Sequence, residues 1–196
     1  MINAIILSAG ESKRMGQPKP LLRFDDKTFL EYIISVLQLS NVDRITVVLG
    51  ADAEIIEKSV DLSGTHLLLN KDYKKGQLSS MITGIKNLPE ETEAVLVCLV
   101  DHPLITEELV NQIVKTFKER KSPIIVPVYQ GKRGHPVLFS KSLFKELLEA
   151  PEDKGARYVL YSNEEKVFEL ETSEKGILIG INTPEDYQIY FGSKPE

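Results

Sequence analysis

The sequence predicts an α/β fold: a mostly parallel central sheet with helices on both faces, Rossmann-like in type, plus a small β excursion. Three observations predict it. Runs rich in Ile, Val and Leu recur along the chain, segments of helical period separate them, and the alternation changes character after Val128. Near-continuous apolar runs belong to strands covered on both faces, which is the situation of strands in parallel sheets.

Residues 2–7 form the first apolar run, closed by Ser8-Ala9-Gly10. With no basic leader ahead of it, the run reads as a first strand rather than a signal peptide. Helical spacing follows over 29–39, and strands are expected over 44–49, 65–69, 94–100 and 123–128. Helices at 53–60, 80–88 and 107–118 lie between them. Thr106, followed by Glu107-Glu108, gives the last of these a capping hydroxyl and acids at the positive end of its dipole. Beyond Val128, extended runs at 124–129 and 136–139 flank a loop at 130–134, an excursion at the sheet edge. Helices over 142–148 and 156–161 and short strands over 166–170 and 176–181 come next. A last helix opens with Thr183 as cap and Pro184 at its first position, and the tail 192–196 reads as frayed. No repeat, low-complexity tract or linker interrupts the chain, so residues 1–196 read as a single domain.

Hydrophobic residues make up 42% of the chain and charged residues 27%, the balance of a globular protein with ample core. A net charge of −5 speaks against non-specific nucleic-acid binding and leaves room for a locally basic pocket around an anionic metabolite. No apolar run approaches the roughly 20 residues that a bilayer requires. The lone Cys98 sits inside an apolar run and reads as a buried small hydrophobe. Without a second cysteine there is no intrachain disulfide, so a reducing cytoplasm is the expected setting. The expectation is a soluble protein with neither membrane nor nucleic acid as partner.

Chemistry concentrates in 7–20, LSAGESKRMGQPKP. The spacing of Gly10 and Gly16 fails the G-x-G-x-x-G dinucleotide fingerprint, and Gln17 after Gly16 fails the P-loop. The physical requirements are nevertheless met. Ala9 and Gly10 allow a ligand close to the backbone just past a strand's carboxyl end, where open α/β sheets bind. Lys13, Arg14 and Lys19 can neutralise a triphosphate, Arg14 with a forked donor. The alternative is a solvated basic turn.

LSAGESKRMGQPKPLL resembles the signature L-[AS]-[AG]-G-x-[SG]-x-R-[ML]-G-x-x-K of nucleotidyltransferases with a glycosyltransferase-A-like fold. The likeness continues in KGQLSSMITGI (75–85) and LVDHPLIT. GKRGHPVLFSKSLFKELL, DKGARYVL and GINTPEDY are most similar to the molybdenum cofactor cytidylyltransferase branch, so the chain is identified as a member of the MobA-like NTP transferase family. The resemblance implies that Leu7, Ser8, Ala9 and Gly10 wrap a nucleoside triphosphate, with Arg14 and Lys19 on its phosphates. It places Gly76, Ser79 and Ser80 near the base and ribose.

Asp101 ends the strongest strand candidate, so its carboxylate should project from the sheet's carboxyl edge. Nucleotidyl transfer needs a hard cation on the phosphate oxygens, and Asp101 is the candidate Mg²⁺ ligand, as the resemblance also implies. Its alternative is to cap the turn before Pro103 or the helix near Thr106. Asn182 stands where the cofactor branch has Asp. An amide oxygen can still ligate Mg²⁺, and related sugar nucleotidyltransferases often carry Asn there. Gly180 replaces that branch's first Asp. His135, on the loop rim, could touch an acceptor or simply pack; His102 neighbours Asp101, and His66 reads as structural. No constellation suggests a covalent nucleophile. Positioning and electrostatics, with the acceptor's own phosphate attacking in line, account for the chemistry.

The resemblance thus implies transfer of a nucleotidyl group to a phosphorylated acceptor, with release of pyrophosphate and Mg²⁺ as cofactor. Ala9 before Gly10 favours CTP, since guanylyl enzymes of the family show L-A-G-G. The nearest branch implies molybdopterin as acceptor, with a molybdoenzyme as candidate partner. Lys19-Pro20-Leu21-Leu22 and Asn182 pull toward a cytidylyl- or uridylyltransferase acting on a sugar or other small phosphate. A non-catalytic protein that delivers cofactor to a molybdoenzyme is the third reading, favoured by the weakened second metal position.

Overall fold

Every residue of β1 (Ile2–Ser8) is buried, because helices cover both faces of the sheet it centres. The computed structural model describes residues 1–152 and 154–192. The remaining strands are β2 (Arg23–Phe24), β3 (Lys27–Thr28), β4 (Arg44–Leu49), β5 (His66–Leu69), β6 (Ala94–Leu99), β7 (Ile124–Tyr129), β8 (Lys132–Arg133), β9 (Val137–Ser140) and β10 (Val167–Glu171). The helices are α1 (Phe29–Leu39), α2 (Ala53–Ser59), α3 (Gln77–Lys86), α4 (Glu107–Arg120), α5 (Phe144–Glu149), α6 (Ala156–Ser162) and α7 (Pro184–Phe191).

The main sheet runs β10-β7-β9-β6-β1-β4-β5, with β8 attached to β7. β1 is parallel to β4 and β6, β4 to β5, and β10 to β7, as expected of a mostly parallel sheet. Strand alternation divides the core in two. Ile2, Ala4 and Ile6 join Phe29 and Ile33 of α1, Ile113 of α4 and Tyr187 of α7. Ile5 and Leu7 point the other way, into a cluster with Leu78 and Met81 of α3, Leu147 of α5 and Val159 of α6. The expected caps form: Thr106 Oγ1 accepts from Leu109 N at 3.1 Å, and Thr183 Oγ1 from Asp186 N at 3.2 Å.

The structure corrects the sequence reading in several places. Residues 176–181 are not a strand. Lys175–Leu178 is a 3₁₀ turn. The Ile177 carbonyl accepts from His135 N at 3.0 Å, and Ile181 N donates to the Asp101 carbonyl at 2.7 Å. Its backbone groups are therefore spent on neighbouring loops rather than on a ladder. The excursion is not at the sheet edge either: β9 lies inside the sheet, antiparallel to both β6 and β7. The expected loop at 130–134 contains β8, paired with β7. Helix α3 begins earlier than expected, at Gln77, behind Gly76 with φ of +100°. The β2–β3 ribbon has no counterpart in the sequence reading. Gly192 closes α7 in a left-handed conformation, and the rest of the expected frayed tail, 193–196, lies outside the described residues.

Candidate functional site

The parallel strands β1, β4 and β6 open their carboxyl ends onto one edge, and the loop after β1 crosses it. Ser12, held at φ of +50°, organises this loop. Its carbonyl accepts from Met15 N at 2.9 Å and Gly16 N at 3.1 Å, and its hydroxyl accepts from Lys19 N at 3.0 Å. Met15 is only 4% exposed and packs into the core, so the middle of the loop is pinned rather than free.

This scaffold turns Lys19 inward. Its Nζ donates to Asp101 Oδ2 and to Asn182 Oδ1, each at 2.9 Å. Arg14 Nη2 donates to the same Asn182 oxygen at 3.0 Å. Lys13, by contrast, pairs with Glu11 at 2.9 Å on the surface. Asn182 reaches Asp101 because Ile181 N binds the Asp101 carbonyl at 2.7 Å. Asp186 fixes the segment from the other side, its Oδ2 accepting from Asn182 N and Thr183 N at 2.9 Å each. Those backbone donors, the Asn182 N–H first, hold the Asp186 carboxyl below the usual carboxylate range. The cap of α7 is Thr183, which leaves the Asn182 amide to the cluster.

A cavity of about 190 Å³ opens beside this cluster. Leu7, Ser8, Ala9, Gly10, Gly76, Ser80, Lys19 and Asp101 all line it. Nothing among the described residues lies within 4 Å of the Cβ that Gly10 or Gly76 would carry, so the backbone there is open to a ligand. Ser8 Oγ is buried with no hydrogen-bond partner among the described residues, a polar atom left for a bound molecule. Ser79 does not line this cavity: its hydroxyl lies 2.7 Å from the Gly76 carbonyl and accepts from Asn70 Nδ2 at 2.9 Å. It shapes the turn that presents Gly76.

Tyr73, Gln77, Ser12 and Asn70 were not singled out from sequence. Tyr73 has a signal in Gly50, whose Cβ would come within 2.6 Å of Tyr73 Cβ and 2.8 Å of Ala9 Cβ. Only a glycine at the end of β4 lets both side chains close over the cleft. Asn70 Nδ2 donates to Ser79 Oγ at 2.9 Å and Ser80 Oγ at 3.0 Å, a cross-connection that leaves no local pattern.

A second cavity, of about 680 Å³, shares Leu7 and Gln77 with the first. His135 and His102 sit on its wall with ring centroids 4.8 Å apart. Gly134 lets the chain before His135 close on the Ile177 backbone, since a Cβ there would lie 2.4 Å from the Ile177 carbonyl oxygen. Burial, reinforced by His102, pushes the His135 imidazole down to about 4; burial lowers His102 as well. Each has a buried Nδ1 without a partner among the described residues. Gly180 belongs to the same arrangement: a Cβ there would lie 2.9 Å from His102 Nε2. Buried Cys98 has its thiol pushed up to about 12 by burial and reads as inert packing.

No group of three His, Cys, Asp or Glu forms a metal cluster among the described residues. The hard oxygens of Asp101 and Asn182 nevertheless converge on one cation, the Lys19 ammonium. Such a pair suits an ion of the Mg²⁺ type, which keeps water and phosphate oxygens as its other ligands.

Residues 4–167 match the MobA-like NTP transferase domain. The chain belongs to this family. The match makes it a MobA-like nucleotidyltransferase, with the glycosyltransferase-A-like fold the sequence predicted. The molybdenum cofactor cytidylyltransferase of Escherichia coli is 30% identical over 188 residues, covering 95% of this chain and 93% of that one. The nicotine blue oxidoreductase of Paenarthrobacter nicotinovorans is 26% identical, covering 81% of each chain. Among solved structures, Rv0371c from Mycobacterium tuberculosis superposes with a TM-score of 0.89 at 26% identity, over 98% of this chain and 97% of that one. A second structure of Rv0371c is a complex with manganese, with a TM-score of 0.84 at 25% identity and 98% coverage of both chains. No helix among the described residues is long and apolar enough to cross a membrane.

Proposed function

We propose that the protein, acting in the cytoplasm as one domain over 1–196, transfers a nucleotidyl group from CTP to a phosphorylated small molecule, with molybdopterin as the leading acceptor. The observation that carries this reading is the meeting of Arg14, Lys19, Asp101 and Asn182, of which Lys19 and Asp101 line the cavity behind Leu7–Gly10. The triphosphate lies over the open backbone at Gly10, Lys19 and Arg14 take its phosphate oxygens, and the unpartnered Ser8 hydroxyl supplies a further hydrogen bond. When bound, a divalent cation held by Asp101 and Asn182 supplies Lewis-acid stabilisation of charge at the α-phosphoryl group.

The larger cavity, lined by apolar side chains, by the neutral imidazoles of His102 and His135 and by the charged Arg133, Glu152, Lys154 and Arg157, receives the acceptor. An acceptor phosphate oxygen bonds to the α-phosphorus while the bond from that phosphorus to the β-bridging oxygen breaks. The electron pair leaves with pyrophosphate. The nucleophile is already anionic, so the neutral imidazoles need not take a proton; their part is orientation. The cytidylyltransferase relative from Escherichia coli supports CTP and the cofactor acceptor, and the manganese complex of Rv0371c supports a divalent ion.

Asn182 favours a second reading, a cytidylyl- or uridylyltransferase for a sugar or other small phosphate. A third is a protein that delivers cofactor to a molybdoenzyme without catalysis. Pyrophosphate release is measured with each of the four triphosphates and Mg²⁺, against molybdopterin and a set of sugar phosphates. Release with CTP and molybdopterin is expected. Release with sugar phosphates alone selects the second reading, and CTP binding without release from any acceptor selects the third.

A further inference from the structure

Lys19 occupies the position that a cation shared by Asp101 and Asn182 would take. Its ammonium is 2.9 Å from both oxygens, and the side chains of Lys19 and Asp101 are only 13% and 25% exposed. The oxygen pair is therefore already satisfied before any metal arrives. The charges around it also cancel. Asp101 and Asp186 contribute two negative charges, the latter spent on two backbone N–H groups, and Lys19 and Arg14 contribute two positive ones. Asn182 adds an oxygen but no charge. A bare dication meets no net attraction here and has to displace an ammonium from a partly shielded ion pair.

A metal–triphosphate chelate differs on both counts. It carries net negative charge, and its phosphate oxygens offer Lys19 and Arg14 new partners as they release Asp101 and Asn182. From this geometry we infer that the site accepts its metal only as a metal–nucleoside triphosphate chelate, with Lys19 acting as a lock against free cations. The ammonium moves from carboxylate to phosphate as the chelate seats. The inference rests on the nucleotidyl-transfer reading for the identity of the chelate, but its test needs neither acceptor nor turnover.

Free Mn²⁺ is titrated into the full chain without nucleotide, and the unbound ion is followed by electron paramagnetic resonance. The wild type should bind weakly. Lys19→Met, which removes the competing ammonium, and Asn182→Asp, which adds a charge, should each bind at least about tenfold more tightly. Asp101→Ala in either background should abolish the gain. Addition of CTP to the wild type should recruit Mn²⁺ at least about tenfold more tightly than protein and CTP do separately. Unchanged Mn²⁺ affinity in Lys19→Met at an unchanged melting temperature overturns the lock. If that variant fails to fold, Asn182→Asp decides alone, and a wild-type affinity there overturns it equally. Failure to transfer nucleotides in the pyrophosphate assay, with these Mn²⁺ results intact, counts against the proposed function and not against the lock.

Discussion

The two cavities of this groove touch through Leu7 and Gln77 yet are lined differently. The smaller is walled by bare backbone and by Lys19, which is already held by oxygen partners. The larger combines two neutral imidazoles with the apolar Met81, Val97 and Leu99 and with the charged Arg133, Glu152, Lys154 and Arg157. Charges held in place before binding need little reorganisation when charge develops on a phosphoryl group. Apolar walls with a few polar atoms instead select by shape and by hydrogen bonds left unmade. The groove thus offers a prearranged ion cluster at one end and a mixed apolar and polar wall at the other.

The sharpest way to break this division is Asp101→Ala, which should lower metal-dependent turnover on the order of a thousandfold, because the cation loses its charged ligand. A variant that keeps the wild-type response to Mg²⁺ moves the metal elsewhere. Lys19→Ala should follow, with a loss on the order of 100-fold in rate at saturating CTP and an unchanged melting temperature. Near-normal turnover would remove Lys19 from the charged end. Base choice comes next. The frame of Ala9, Gly76 and Ser80 should favour CTP over GTP by about 100-fold if it hydrogen-bonds the base edge. Calorimetric titration giving equal affinities would refute the cytidine reading.

The histidine-lined end is tested by acid. His135 holds its proton only near pH 4, against an ordinary 6.5, so the unfolded chain takes up the proton first as pH falls. Its contribution is fully present above about 6.5 and drains away toward 4, by up to about 3 kcal/mol. His135→Gln should flatten the fall in melting temperature over that window, and an unchanged slope would place the titration elsewhere. The smallest effect concerns Asn182→Ala. Thr183 and Asp186 still cap α7, so stability should change by less than about 0.5 kcal/mol while the Mg²⁺ requirement rises. A large drop in melting temperature would return Asn182 to a structural role.

Elements whose signals are local were legible in the sequence. Helix α1 forms over the residues its apolar period marks, because Thr28 and Glu31 also close a capping box at its start. Asp101 and Lys19, which the structure brings together, were legible as candidate site residues through strand position and loop charge. Their partnership was not: Lys19 and Asn182 are 163 positions apart, and no periodicity records a contact at that separation. The same holds for Asn70, whose two serine contacts depend on how the β5–α3 connection folds back. The alternation at 176–181 misled for a related reason. It marks Ile177, Ile179 and Ile181, which are buried, but burial was supplied by loops instead of a neighbouring strand.

The backbone bond from Ile181 to Asp101 has a consequence in time as well as in space. Domains fold as they emerge from the ribosome, amino-terminal parts first. The loop at Ser12, the parallel strands β1, β4 and β6, and Asp101 all emerge before residue 167, where the family match ends. Asn182 and the Asp186 that anchors it come later. A nascent chain can therefore carry the loop after β1, and even pair Lys19 with Asp101, while Asn182 is still unsynthesised. The four-residue cluster is completed only after the segment that carries Asn182 and Asp186 has been made.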